Sequence, residues 1–199
     1  MQFTKLQGLG NDFALIDARH TTAKDWGKLA KAVCERRFGV GADGLLLLTR
    51  SQAADFGMRM FNPDGSEAEA CGNGRRCLVR YIVERGLNSS DSLCVETMAG
   101  IRQTKLVRQE GRISLIQVSM GRPSFAPEAI PVKVTVGQGR LFDIMLGDYP
   151  LSAGDEKLNL NFVSMGNPHA VFFISRPVAD FPLATIGPKV ERNGLFPRG

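Results

Sequence analysis

Histidine is scarce in this sequence: His20 and His169 are the only two among 199 residues. The four cysteines, Cys34, Cys71, Cys77 and Cys94, include no C-x-x-C pair. That lacks the ligand spacing of a structural zinc site or a dithiol redox centre, so no metal is expected. Aromatic residues make up only 8% of the chain, and none is interleaved with the densest basic points, Arg36-Arg37 and Arg75-Arg76. Both pairs are read as solvated faces, and no nucleic-acid partner is expected. Long apolar runs are missing as well. Leu45–Leu48 and Ala170–Ile174 are the longest, far short of the roughly 18 residues of a membrane span. Gln2, Thr4, Lys5 and Gln7 interrupt any secretory pattern at the start. The expectation is a soluble, cytoplasmic protein without a membrane partner, its thiols reduced.

What is present can fill a core: 43% of residues are apolar and the formal net charge is a modest +5. Strands are expected at residues 1–7 and 13–17, around a Gly8-Leu9-Gly10-Asn11-Asp12 turn. Trp26, Leu29, Ala30, Val33, Cys34 and Phe38 share one helical face, predicting a helix from Thr22 to Phe38. Thr21 or Thr22 is its expected cap and Gly39 its stop. Strands follow at 45–49 and 58–61, then a second helix over 75–85 with Cys77, Leu78, Tyr81 and Ile82 inward. From Ser92 short strands dominate, at 93–97, 102–108, 112–120, 132–136, 140–146, 161–164 and 170–174. Pro123, Pro127 and Pro131 mark a linker between two domains, 1–120 and 121–199. Cys34 and Cys77 read as packing residues, and Cys94 as a buried strand residue. With two helices, both early, the fold class is α+β rather than a regular βαβ alternation.

Cys71 stands apart. It precedes Gly72-Asn73-Gly74, where the second helix is about to start. The first N–H groups of a helix lack internal acceptors and carry the positive end of the dipole. They favour the anionic form of a thiol beside them, which suits it as a base or nucleophile. The glycines let a carboxylate or phosphate approach the backbone. The plainer reading is a small buried residue at a tight turn. Gly8-x-Gly10 and Gly39-x-Gly41 complete no nucleotide-binding motif.

The segment Phe61-Asn62-Pro63-Asp64-Gly65-Ser66-Glu67-Ala68-Glu69-Ala70-Cys71-Gly72-Asn73-Gly74-Arg75-Arg76-Cys77 resembles the active-site signature of the diaminopimelate epimerases. Lys5-Leu6-Gln7-Gly8-Leu9-Gly10-Asn11-Asp12-Phe13 is similar to that family's N-terminal substrate loop, and Ser164-Met165-Gly166-Asn167-Pro168-His169 to its second-domain loop. The resemblance implies two pseudo-symmetric domains, each a curved sheet around a central helix. It implies interconversion of LL- and meso-2,6-diaminopimelate, without a cofactor, in lysine and peptidoglycan-precursor biosynthesis. Two cysteines on opposite faces of the α-carbon would take and return the proton. Cys71 matches one of them, and His169 a histidine beside the catalytic centre. Asn11, Asn62, Gly72, Asn73 and Asn167 match substrate-binding positions. Gly44 departs from members that carry glutamine there, so no contact is carried onto it. Family members commonly form homodimers, which extends to this chain as an expectation.

The two Gly-Asn turns also echo each other within the chain. Asn11 precedes Cys71 by 60 residues, and the same interval from Asn167 would reach position 227, beyond Gly199. No cysteine follows Cys94. The chain is therefore expected to be C-terminally truncated, with an incomplete second domain and impaired activity. Two alternatives compete: a cysteine hydrolase or transferase using Cys71 and His169, and a non-catalytic binding protein built on the epimerase fold.

Overall fold

The computed structural model describes residues 2–21, 25–126, 130–134, 139–142 and 145–197. They form two compact units, Met1–Met120 and Gly121–Gly199.

The first unit is one seven-stranded sheet, β1 (Thr4–Gly8), β2 (Asn11–Asp17), β3 (Gly44–Thr49), β4 (Phe56–Phe61), β5 (Ser92–Thr97), β6 (Gly100–Gln109) and β7 (Arg112–Val118), ordered as in the chain. Neighbours are antiparallel except β2–β3 and β4–β5. A parallel pair needs a crossover. Helix α1 (Trp26–Cys34) supplies the first and α2 (Gly72–Glu84) the second.

The two helices take opposite faces of the sheet. Ala14, Ile16, Leu45 and Leu47 pack with Trp26, Ala30 and Cys34 of α1. Phe13, Leu15, Leu46 and Leu48 pack with Cys77, Leu78, Val79 and Ile82 of α2. Strands covered on both faces need unbroken apolar runs. That is why Leu45–Leu48 reads as four consecutive leucines, all fully buried. Helix α2 also touches β1 and β7, the two edges of the sheet. A sheet whose opposite edges meet one helix is curled around it, so the unit is a half-barrel with α2 inside.

Several local expectations are corrected. Helix α1 ends at Cys34, and Phe38, placed on its buried face, is 95% exposed. The Asp25 side chain caps α1, accepting from the Lys28 N–H at 2.9 Å, so Thr21 is not the cap; Thr22 lies outside the described residues. Cys94 is on β5 as expected but only half-buried. The pair Arg75-Arg76 is no solvated face, since Arg75 is buried and Arg76 half-buried.

In the second unit, β10 (Tyr149–Ala153), β11 (Glu156–Ser164) and β12 (Pro168–Val171) form an antiparallel sheet. A separate ribbon pairs β8 (Arg140–Phe142) with β9 (Met145–Gly147). Tyr149, Leu158, Leu160 and Phe162 pack against Phe181 and Ile186. Ile186 belongs to α3 (Leu183–Glu191), a helix the sequence reading missed. Pro188 inside it removes one hydrogen-bond donor and argues locally against a helix, yet burial of Ile186 outweighs that. The strand expected at 132–136 is not formed over Val132–Val134, and 135–136 lie outside the described residues. Residues 143–144 of the strand expected at 140–146 also lie outside them.

Candidate active site

Helix α2 starts three residues earlier than the sequence reading placed it, and Cys71 is its N-cap. The cap backbone is extended, at φ −148° and ψ 105°, and its half-buried thiol accepts a hydrogen bond from the Gly74 N–H at 3.2 Å. The Cys71 carbonyl takes the Arg75 N–H at 3.0 Å. Gly72-Asn73-Gly74 is thus the first turn of the helix, not a loop before it. The N–H groups of Gly72 and Asn73 have no intrahelical acceptor at those positions, so they are available to an anion next to the sulfur.

The β1–β2 hairpin brings a second element to this turn. Leu9 and Gly10 both have positive φ, 53° and 90°. That is the twist a two-residue hairpin requires. Gly8 lies directly on α2: a Cβ there would meet Cys77 Sγ at 3.0 Å and the Asn73 carbonyl at 3.3 Å. The missing side chain lets Asn11 reach Asn73, whose Nδ2 donates to Asn11 Oδ1 at 2.6 Å. Arg76 in turn donates to Asn73 Oδ1.

Behind Asn11 lies a charged network that the sequence reading did not find. Asn11 Nδ2 donates to Asp43 at 3.3 Å, and the Asp12 N–H donates to the same carboxylate at 3.1 Å. Arg36 bridges Asp43 at 2.7 Å and Asp12 at 3.0 Å, while Lys5 pairs with Asp12 at 2.8 Å. The acidic and basic residues at the turn were its only sequence signal. The Arg36 hydrogen bond, then that of Lys5, hold the Asp12 carboxyl well below the ordinary 3.8, against the opposing effect of burial. The unfolded chain therefore binds this proton at a higher pH than the folded one. Stability from Asp12 is present above about pH 4 and is lost as the pH falls further. Urea midpoints at pH 7 and pH 3 check this: Asp12→Asn is expected to lose less stability on acidification than the wild type.

Cys34 and Cys77 are buried, whereas Cys71 is half-buried. Burial first, then the nearby Cys71, pushes the Cys77 thiol up to about 11, and burial raises Cys34 too. Both are packing residues, as read from the sequence. Asn62 follows β4 and donates to Ser66 Oγ at 3.0 Å, within its own turn. The hydrogen bonds linking Asn11 and Asn73 do not extend to it among the described residues. Asn167 and His169 belong to the second unit, where His169 Nε2 lies 3.1 Å from Asn167 Oδ1. Gly166 before them has a φ of 96°, close to the 90° of Gly10, so the two Gly-Asn turns share a left-handed glycine.

No metal-binding cluster of histidine, cysteine and carboxylate is found among the described residues. No helix there is long and apolar enough to cross a membrane. Residues 3–126 match the family model for diaminopimelate epimerase. The diaminopimelate epimerase of Halothermothrix orenii is 44% identical over the whole of this chain, which covers 68% of that protein. That of Moorella thermoacetica is 47% identical, again over the whole chain and 68% of the relative. A hydroxyproline epimerase from Agrobacterium vitis superposes with a TM-score of 0.63 at 14% identity. It shares the fold over 94% of this chain, which spans about half (53%) of that one. Half-barrel, helix-capping cysteine and whole-chain identity agree: the chain belongs to the diaminopimelate epimerase family.

Proposed function

We propose that these residues carry one half of a two-base epimerase acting at the α-carbon of diaminopimelate, in lysine and peptidoglycan-precursor biosynthesis. The observation that carries this reading is the Cys71 thiol seated as the N-cap of α2. It shares that position with the N–H groups of Gly72 and Asn73 and with the Asn11–Asn73 amide pair. The α-proton of an amino acid is weakly acidic, and this reading supplies no cofactor to delocalise the carbanion. Hydrogen-bond donors must therefore face the α-carboxylate, where negative charge develops. In the proposed step, the N–H groups of Gly72 and Asn73 hold that carboxylate. The Cys71 thiolate takes the α-proton, the electron pair of the C–H bond staying on carbon.

In this reading 1–120 is the Cys71-bearing domain and 121–199 the front of a second. Asn62, Asn167 and His169 are further substrate contacts or acid–base aids, and the homodimer is the assembly. The second base of the family mechanism would also be a cysteine, and none follows Cys94 in the 199 residues. By themselves these residues should exchange a proton but not invert the centre. Incubation with diaminopimelate in D2O is expected to place deuterium at the α-carbon of one configuration, with retention. Brisk LL-to-meso turnover by the same 199 residues would overturn the one-base assignment. Family membership weighs against acyl transfer by Cys71 and His169, which would instead leave a mass adduct on the cysteine.

A further inference from the structure

A side-chain amide carries an oxygen and a nitrogen of nearly the same size, so its two orientations differ only in the hydrogen bonds each makes. Taken alone, the Asn11–Asn73 pair could stand either way round, with Asn73 donating to Asn11 or Asn11 to Asn73. The groups at its two ends decide between them. At one end the Arg76 guanidinium, which has only donors, meets Asn73 Oδ1. At the other the Asp43 carboxylate accepts from Asn11 Nδ2 at 3.3 Å. Both ends require the arrangement found, in which Asn73 Nδ2 donates to Asn11 Oδ1 at 2.6 Å. The reverse arrangement would set N–H against guanidinium and oxygen against carboxylate. Asp43 is itself held by Arg36 at 2.7 Å. Arg76 is not committed to a carboxylate: no ion pair among the described residues includes it, whereas Arg80, one turn on, pairs with Glu84 at 2.5 Å.

We propose that Arg76 is a positioning residue: its guanidinium sets the amide of Asn73, and through it that of Asn11, so that both meet a ligand already oriented. The half-buried side chain reaches back along the first turn of α2, where its Nη1 would lie 3.8 Å from a Cβ on Gly72. Its hydrogen bond is to Asn73, so the setting of Asn11 passes through that residue. A hydrogen bond with a charged partner is stronger than one between two amides, so the charged ends govern the neutral link between them. Amides set in advance spare binding the cost of ordering them. The consequence for substrate rests on the proposed epimerase reading; the orientation itself does not.

The side-chain amide signals of Asn11 and Asn73 in a proton–nitrogen correlation spectrum report the orientation without substrate. Arg76→Met keeps an unbranched apolar stem and removes the donors. It is expected to shift the signals of both asparagines. Arg76→Lys, which can still donate to Asn73 Oδ1, should bring both back toward the wild type, and Arg80→Met should move neither. Asn11 signals that stay in place in Arg76→Met overturn the proposal. Equal shifts in Arg76→Met and Arg80→Met also overturn it, since they would reflect packing along the helix rather than the amide bond. Where Arg76→Met fails to fold, the wild-type spectrum decides: separate, slowly exchanging Nη protons of Arg76 support an anchored guanidinium, and averaged ones overturn it. With diaminopimelate in D2O, Arg76→Met is expected to raise KM for α-proton exchange about tenfold and to leave kcat nearly unchanged, the pattern of lost binding rather than of a lost base. An unchanged KM overturns the positioning role. Absent exchange in the wild type counts against the epimerase reading alone, and the spectra then decide on Arg76.

Discussion

Replacing Cys71 by alanine is expected to abolish deuterium incorporation at the α-carbon of diaminopimelate, a loss of at least about 10³-fold. General-base catalysis contributes roughly 10²–10⁴, and the two thiols packed in the core of this unit are poor substitutes: Cys34 and Cys77 are buried, and burial raises both. Stability should fall much less, by about 1 kcal/mol, as for the loss of a helix N-cap. Cys71→Ser separates the two roles. Its hydroxyl accepts from the Gly74 N–H as the thiol does, at 3.2 Å in the native chain, so the cap and the melting temperature recover. A hydroxyl does not ionise near neutral pH, so exchange does not recover. Exchange retained in Cys71→Ser would show that the sulfur is not the base.

The features legible in the sequence are those set by local pattern. The four leucines of β3, the inward stripe of α2 and the two Gly-Asn turns come directly from spacing and turn chemistry, and the structure keeps each. Boundaries were harder to read. Helix α2 begins at Gly72 because the Cys71 sulfur completes the cap, whereas cap preferences rank oxygen side chains first and glycine as a helix breaker. Helix α3 was hidden by Pro188, whose local cost is overridden by the burial of Ile186.

The supports of the site were less legible than its centre, because they depend on pairings distant in sequence. Asn11 meets Asn73 across 62 positions, and Asp12 and Asp43 meet across 31. Arg36-Arg37 has the look of an ordinary solvated pair, and Arg37 is one. Arg36 is also largely exposed, yet its guanidinium ties two carboxylates under the turn that carries Asn11. Arg75 is the converse, a buried charge with no sequence neighbour to explain it. Composition counts charges but does not say which of them the fold encloses.

Gly74→Ala is the other substitution from which a large effect is expected, and its sign separates crowding from helix propensity. In an unencumbered helix the change would stabilise by about 1 kcal/mol. Here the new methyl would sit 2.9 Å from Leu46 Cδ2 and 3.2 Å from Cys71 Sγ. Leu46 is fully buried between α2 and the strands on either side of β3, so it has little room to withdraw. Overpacking of this kind costs about 1–3 kcal/mol, which exceeds the propensity gain. The thiol is the softer neighbour and is expected to give way, leaving the Gly74 N–H and the line of approach to the α-carbon. A displacement near 1 Å at a reacting group costs on the order of 10² in rate. The expected result is a lower urea midpoint together with an exchange rate reduced by at least about 10²-fold. Leu46→Val in the same chain relieves one side of the clash. It should recover part of the stability lost in Gly74→Ala, a coupling that a double-mutant cycle reads directly. A Gly74→Ala chain that is more stable and equally active would mean that neither Leu46 nor the sulfur is constrained there. The tight first turn of α2 would then not be what aims Cys71 at its substrate.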